Sequence, residues 1–306
     1  MKRDFIDLWD LTPEEAWRIV KLTKEVKEGK RDLGKPLAGK NVALLFNKPS
    51  TRTRVSFEVG INQLGGNSLF FQEKELQLSR GEDVKDTART LSRYVDCIIV
   101  RNHSHAWLRE LGNYASVPVI NALTNLSHPC QVLSDIFTLY EAFGEGMRDL
   151  KIAYVGDGNN VCNTLLVGAG MFGLTLFVAT PEGHEPNSYY LKRAEEFAKE
   201  SGATVVLTHD PLEAVKDADI VYTDVWVSMG EEGKNLEVFK PYQVNENLLK
   251  EAKSTVRVMH CLPAKKGQEI TEEVFEKYAD FIFTQAENRL HTQKSLLAFL
   301  FKALPA

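Results

Sequence analysis

The chain has 306 residues, 43% hydrophobic, 26% charged and 9% aromatic, with a formal net charge of -5. At roughly 100–200 residues per domain, this length implies about two domains with full cores that need no disulfide or metal staples. The mild acidity argues against nucleic acid or an anionic membrane as the main partner, and no apolar run approaches the ~20 residues of a membrane span.

The opening MKRDFIDLWDLTPEEAW carries Asp4, Asp7 and Asp10 and lacks the apolar core of a signal peptide. Cys97, Cys130, Cys162 and Cys261 form no C-x-x-C pair. That spacing points to a reducing compartment, with the cytoplasm as the default.

Short β-like runs alternate with helical stretches. In the first half, strands are predicted at 41–46, 68–71, 97–100 and 117–120. In the second half they fall at 151–155, 174–179, 204–207, 219–223, 256–260 and 281–284. Several are continuous apolar runs, as expected for strands covered on both faces. Helices are predicted between them, for example at 190–200 and 271–278. This alternation reads as α/β with parallel sheets. Val132, Ile136, Leu139 and Phe143 mark one helix face, Gly144-Glu145-Gly146 interrupts it, and a fresh βαβ unit begins at Lys151. The expected division is 1–146, 147–285 and a terminal helix in 286–306.

Two glycine patterns imitate nucleotide sites. Gly168-Ala169-Gly170-Met171-Phe172-Gly173 matches G-x-G-x-x-G, but a strand follows at once where the fingerprint needs a helix. A helix over 161–172 with Gly173 just past its end, its small residues allowing close packing on the sheet, explains the pattern better. Residues 34–41 approach a P-loop, yet Asn41 stands where Ser or Thr is required and the strand follows instead of preceding.

The chemistry-bearing residues sit just after predicted strands, where ligands bind in open parallel sheets. Ser50-Thr51-Arg52-Thr53-Arg54 opens a helix, and its two hydroxyls and two guanidiniums join free backbone N–H groups in a site suited to a dianion. Arg101 ends a strand and precedes His103 and His105, with no third metal ligand nearby. His128-Pro129-Cys130-Gln131 opens the helix before the domain boundary, with Pro129 at the first position. A capping histidine and a carbonyl-polarising histidine fit His128 equally. Gly156-Asp157-Gly158-Asn159-Asn160 fits a structural turn or polar readout of a small ligand. Asp224-Val225-Trp226-Val227-Ser228-Met229-Gly230 offers an acid for an ammonium, followed by a loop readable as a lid. Cys261, in His260-Cys261-Leu262-Pro263-Ala264, is open to reading as a nucleophile, a hydrogen-bonding thiol or packing. Glu287-Asn288-Arg289 opens the last helix, from which Arg289 can reach an anion.

Taken in series across the whole chain, STRTR, Arg101, HPCQ, DGNN, DVWVSMG, HCLPA and Arg289 resemble the motifs of the aspartate/ornithine carbamoyltransferases. DVWVSMG and HCLPA are similar to the ornithine-using branch. The resemblance implies two parallel-sheet α/β domains joined by interdomain helices, with 286–306 packing back on the first. It implies transfer of a carbamoyl group from carbamoyl phosphate to the side-chain amine of L-ornithine, giving L-citrulline and phosphate, with no metal and no organic cofactor. Ser50, Thr51, Arg52, Thr53, Gln77, Arg101, His128, Pro129, Cys130, Gln131, Cys261, Leu262 and Arg289 would bind carbamoyl phosphate. Asn160, Asp224, Ser228 and Met229 would bind ornithine. Arg52, Arg101, His128, Asp224 and Cys261 would carry catalysis. The resemblance further implies a homotrimer or a higher multiple, with the loop at 77–82 touching a neighbouring chain. The alternative is a carbamoyltransferase for another amine, such as putrescine or an acylated ornithine. A nicotinamide-dependent dehydrogenase and a non-enzymatic amino-acid sensor rank below both.

Overall fold

Two parallel sheets organise the chain. The computed structural model describes residues 2–77, 81–227 and 233–301. The first sheet has β1 (Asn41–Phe46), β2 (Asn67–Gln72), β3 (Cys97–Arg101) and β4 (Val119–Leu123) in the order β2-β1-β3-β4. The second has β5 (Lys151–Val155), β6 (Thr175–Ala179), β7 (Thr204–Thr208), β8 (Ile220–Thr223) and β9 (Arg257–His260) in the order β7-β6-β5-β8-β9. Every pairing between these strands is parallel, which bears out the expected α/β class with two parallel sheets. The helices are α1 (Pro13–Lys27), α2 (Thr51–Gln63), α3 (Val84–Leu91), α4 (His105–Tyr114), α5 (Pro129–Phe143) and α6 (Asn160–Phe172). They continue as α7 (Ser188–Ser201), α8 (Pro211–Val215), α9 (Glu246–Leu249), α10 (Glu272–Lys277) and α11 (Ala279–Leu300). No helix among the described residues is long and apolar enough to cross a membrane.

The chain forms two compact units, Met1–Phe137 with Asn288–Ala306, and Thr138–Glu287. Each has its own core: Ala43, Ile98, Val100, Leu108 and Val119 are buried together in the first, and Ala153, Val155, Val221, Val258 and Ile282 in the second. Each sheet also has a switch point, where successive connections leave in opposite directions. In the first it lies between β1 and β3, with Phe46 opposite Arg101. In the second it lies between β5 and β8, and β9 adjoins β8 with Thr223 opposite His260. The C-terminal ends of such strands open a crevice for ligands.

Local chemistry sets several element ends. The Thr12 hydroxyl and Glu15 form a reciprocal cap on α1, with Pro13 at its first turn. Gly173 ends α6 in the left-handed conformation at φ +72°, so the G-x-G-x-x-G pattern is the end of a buried helix. Gly170 serves a different contact from the expected one. A Cβ on Gly170 would lie 2.5 Å from the carbonyl oxygen of Ala194, so the close approach is to α7 and not to the sheet. Residues 36–39 form a turn that leads into β1, as expected.

Two predicted strands need correction. The one at 117–120 is displaced to β4, because Pro118 has no N–H for the ladder and contributes only its carbonyl, to Ile98. The one at 281–284 does not form, since those residues lie in α11. Burial at Ile282, Gln285, Arg289, Thr292 and Leu296 follows helical spacing, and polar residues at three of these positions hide the stripe from a hydrophobicity reading.

The α6–α7 contact leaves no room for one methyl group. Gly170→Ala is expected to lower stability by about 1–3 kcal/mol through overpacking against backbone. Gly146→Ala, with open space at its Cβ position, leaves stability unchanged. Thermal unfolding compares the two; equal melting temperatures would contradict this packing.

Candidate active site

The first half-site grows from the ends of β1, β3 and β4. Ser50 occupies the N-cap position of α2 in extended conformation, and its hydroxyl makes no cap bond to the helix. Four backbone N–H groups at such a terminus lack intrahelical acceptors, and the helix dipole places partial positive charge there. Thr51 is exposed, Arg52 half-buried and Thr53 buried. Arg101, buried at the end of β3, donates from Nη1 to the Thr53 hydroxyl at 3.3 Å. Arg54, the second guanidinium counted with this motif, is engaged elsewhere. It pairs with Glu58 at 3.2 Å and stacks 3.6 Å over the Phe70 ring.

His128 precedes α5 and is buried. Burial, followed by the positive charges of Arg289 and Arg101, holds its pKa well below 6.5. The imidazole is therefore neutral near pH 7. Cys130 is also buried, and its thiol donates to the Asn121 carbonyl at 3.3 Å. Burial raises that thiol to about 12, so Cys130 is inert as a nucleophile.

A chain of hydrogen bonds ties α2, α5 and α11 together. Gln131 donates from Nε2 to Asp135 at 2.8 Å, and its oxygen accepts from Arg289 Nη1 at 2.6 Å. The Gln293 oxygen accepts from both Nε and Nη2 of Arg289, at 3.1 and 2.9 Å. Gln293 Nε2 donates to the Ser56 hydroxyl at 2.8 Å, which donates to the Thr53 carbonyl at 3.2 Å. With its Nε2 donating to Asp135, the Gln131 amide presents its oxygen to Arg289. Asp135 and Gln293 are absent from the sequence reading. Their signal is a polar residue four positions after Gln131 and after Arg289, on the same helix face.

The second half-site lies at the ends of β5, β8 and β9. Asp224 is buried beyond β8. Its Oδ1 accepts from the Cys261 thiol at 3.0 Å and the Val225 N–H at 2.8 Å, and its Oδ2 accepts from Asn159 Nδ2 at 2.7 Å. A carboxylate has about four acceptor positions, so these contacts leave capacity for an ammonium. Asn159, which sequence reasoning passed over in favour of Asn160, is both the N-cap of α6 and the support of Asp224. Asn160 is buried at the first position of α6. Gly158 is required beside it, since a Cβ there would lie 2.3 Å from the Pro186 nitrogen.

Trp226 is not exposed. It is buried and stacked on Phe239 with ring centroids 5.7 Å apart. Beyond the loop, Lys234 pairs with Asp157 at 2.8 Å. Ser228 and Met229 lie outside the described residues, as do Leu78, Ser79 and Arg80 of the 77–82 loop. Gln77 is exposed. His103 is exposed, while His105 is buried against Asp7 at 3.2 Å and Thr124 at 2.9 Å, so the H-x-H pair does not converge.

Leu262 has φ +61°, which for a leucine costs about 1–2 kcal/mol. The following Leu262–Pro263 bond is cis. Ligand atoms of Asp224, His260 and Cys261 lie within 4.8 Å of one another, a spacing compatible with a metal ion. Both nitrogens of His260, however, are already engaged, with Leu262 N–H and with Glu269.

The profile described as the carbamoyl-P binding domain of aspartate/ornithine carbamoyltransferase matches residues 3–141. The one described as the Asp/Orn binding domain matches residues 148–300. The chain belongs to the aspartate/ornithine carbamoyltransferase family. It is 78% identical over 302 residues to the ornithine carbamoyltransferase of Aquifex aeolicus, spanning 99% of each chain. It is 49% identical over 304 residues to the anabolic ornithine carbamoyltransferase of Pyrococcus furiosus, spanning 97% of this chain and 96% of that one. A solved structure of ornithine carbamoyltransferase from Pyrococcus furiosus superposes with a TM-score of 0.92 at 47% identity, covering 99% of this chain and 98% of that chain.

His128 links this site to stability. The unfolded chain takes up a proton there near pH 6.5, whereas the folded chain does so only at much lower pH. Acidification through 6.5 therefore favours unfolding, and this contribution vanishes above 6.5. Urea unfolding across about pH 5 to 8 is expected to show a steeper acid loss for the parent than for His128→Asn. Parallel curves would contradict a neutral buried His128.

Proposed function

We infer that the chain transfers the carbamoyl group of carbamoyl phosphate to the side-chain amine of L-ornithine, giving L-citrulline and phosphate. The observation that carries this reading is the contact of buried Asp224 with the half-buried Cys261 thiol at the strand ends of a domain belonging to this family. An acid beside a thiol there suits a diamino acid. Relatives described as ornithine carbamoyltransferase support ornithine over putrescine or an acylated ornithine.

The first unit supplies the carbamoyl-phosphate half. Ser50, Thr51, Arg52 and Thr53 hold the phosphate with the N-terminus of α2. Arg101 and neutral His128 donate to the carbamoyl oxygen as negative charge grows on it. The Gln131 oxygen retains a second lone pair beyond its bond to Arg289 and orients the carbamoyl NH2. Arg289 completes that pocket, with Pro129 and Cys130 shaping the helix that carries it. The second unit supplies the ornithine half. Asp224 pairs with the α-ammonium, joined by Asn160, Ser228 and Met229.

The attacking amine must be neutral, and a free alkylamine titrates near about 10.4. The neutral fraction, and with it the rate, therefore rises with pH. As the amine adds to the carbamoyl carbon, a tetrahedral intermediate forms, and its collapse expels phosphate. Holding both substrates in attack geometry is worth roughly 7–11 kcal/mol of the barrier.

Self-association as a homotrimer or a higher multiple is part of the same proposal. In its support, Val55 and Val59 of α2 are 51% and 38% exposed, and Leu69 of edge strand β2 is 43% exposed. Four free cysteines fit a cytoplasmic enzyme. The anabolic description of the Pyrococcus furiosus relative favours citrulline formation, and hence arginine biosynthesis, as the working direction.

Steady-state citrulline formation tests the division of labour. Arg52→Ala is expected to raise KM for carbamoyl phosphate about 10- to 100-fold, the scale of a lost charge-assisted hydrogen bond, and Asp224→Ala to raise KM for ornithine similarly. No citrulline from the parent, or the same substrate affected in both variants, would overturn the assignment.

A further inference from the structure

A buried histidine–carboxylate pair in the second unit has no part in the chemistry above. His260 and Glu269 are fully buried, with His260 Nε2 3.0 Å from Glu269 Oε1. The same carboxylate oxygen accepts the Lys265 N–H at 2.6 Å. On the other side of the ring, Nδ1 accepts the Leu262 N–H at 2.9 Å. A ring nitrogen that accepts an N–H carries no proton, so the imidazole is neutral with its hydrogen on Nε2, directed at Glu269. The His260 backbone is fixed as well. Its N–H donates to Gln285 at 2.9 Å, and Gln285 donates to the Tyr222 hydroxyl at 3.2 Å.

Leu262, at φ +61°, adopts a backbone conformation that β9 does not continue into and that leucine rarely takes. The Nδ1 contact holds the N–H of that very residue. Cys261 sits between the clamp and the turn, and its thiol meets Asp224 Oδ1 at 3.0 Å. Rotation about the Cys261–Leu262 segment would carry the thiol off the carboxylate.

We propose that His260, locked in one tautomer by Glu269, is a positioning residue that holds the Cys261–Leu262 turn and so the Cys261 thiol against Asp224. The kinetic consequence rests on the carbamoyl-transfer reading, whereas the clamp itself is a property of the chain. Glu269 acts one step further back, since it determines which ring nitrogen accepts.

Two substitutions separate the ring nitrogens in the full chain. His260→Asn keeps an acceptor near the Nδ1 position, and His260→Gln keeps a polar group near Nε2 but offers Leu262 nothing. With ornithine as acceptor, His260→Gln is expected to lower kcat about ten- to a hundredfold, as misplaced reacting groups do. His260→Asn is expected to lose clearly less. Alkylation of Cys261 by iodoacetamide, read on its peptide by mass spectrometry, is expected to shift from the parental rate in the same order. For the case in which the variants fail to fold, long-range proton–nitrogen spectra of the 15N-histidine-labelled parent report the ring directly, with His260 expected neutral and protonated at Nε2. A doubly protonated or Nδ1-protonated ring would overturn the proposal, as would folded variants with equal kcat and equal alkylation rates. A parent inactive toward ornithine would sink the carbamoyl-transfer reading and leave the tautomer and alkylation rates to decide the clamp.

Discussion

Positive charge gathered in a dry place is the constraint on which the first half-site depends. Arg101 and Arg289 are buried, and their field, added to burial, keeps His128 from accepting a proton. Burying a guanidinium is costly unless its donors are satisfied. The chain meets part of that requirement with neutral acceptors: the Thr53 hydroxyl for Arg101, and the amide oxygens of Gln131 and Gln293 for Arg289. Such acceptors satisfy geometry without themselves cancelling charge. In the proposed reaction, a neutral histidine in that field serves as a hydrogen-bond partner for the carbamoyl oxygen and not as a proton reservoir.

The same sheet architecture carries a different chemistry in the second unit. There the residues beyond the strand ends are an acid, a thiol and asparagines, and the turn into α6 brings Asn159 onto Asp224. The backbone at the ends of β1, β3, β5, β8 and β9 fixes where each loop starts, and the loop residues decide what is bound. Fold alone would not have distinguished the two units, whereas their side chains do.

Much of this was legible because the informative residues lie next to strands whose apolar runs are unmistakable. The strands at 41–46 and 151–155, the α6 terminus at Gly173 and the helix opened by Pro129 follow from local rules. What stayed hidden depends on partners distant in sequence. Gln293 reaches Ser56 across 237 positions, and Asn159 reaches Asp224 across 65. Phe281 and Ile282 read as strand because Gln285, Arg289 and Gln293 break the apolar face of α11, although all three are buried for polar reasons. The burial of Trp226 was not legible because its stacking partner, Phe239, follows only after an intervening polar stretch.

The most direct test of the cationic half-site follows His128 by nuclear magnetic resonance during a pH titration, with and without saturating inorganic phosphate. A dianion bound beside Arg101 and Arg289 offsets their field, so the His128 pKa should climb back toward 6.5 when phosphate is present. Saturation by phosphate with no movement of His128 would place the anion elsewhere and contradict the account.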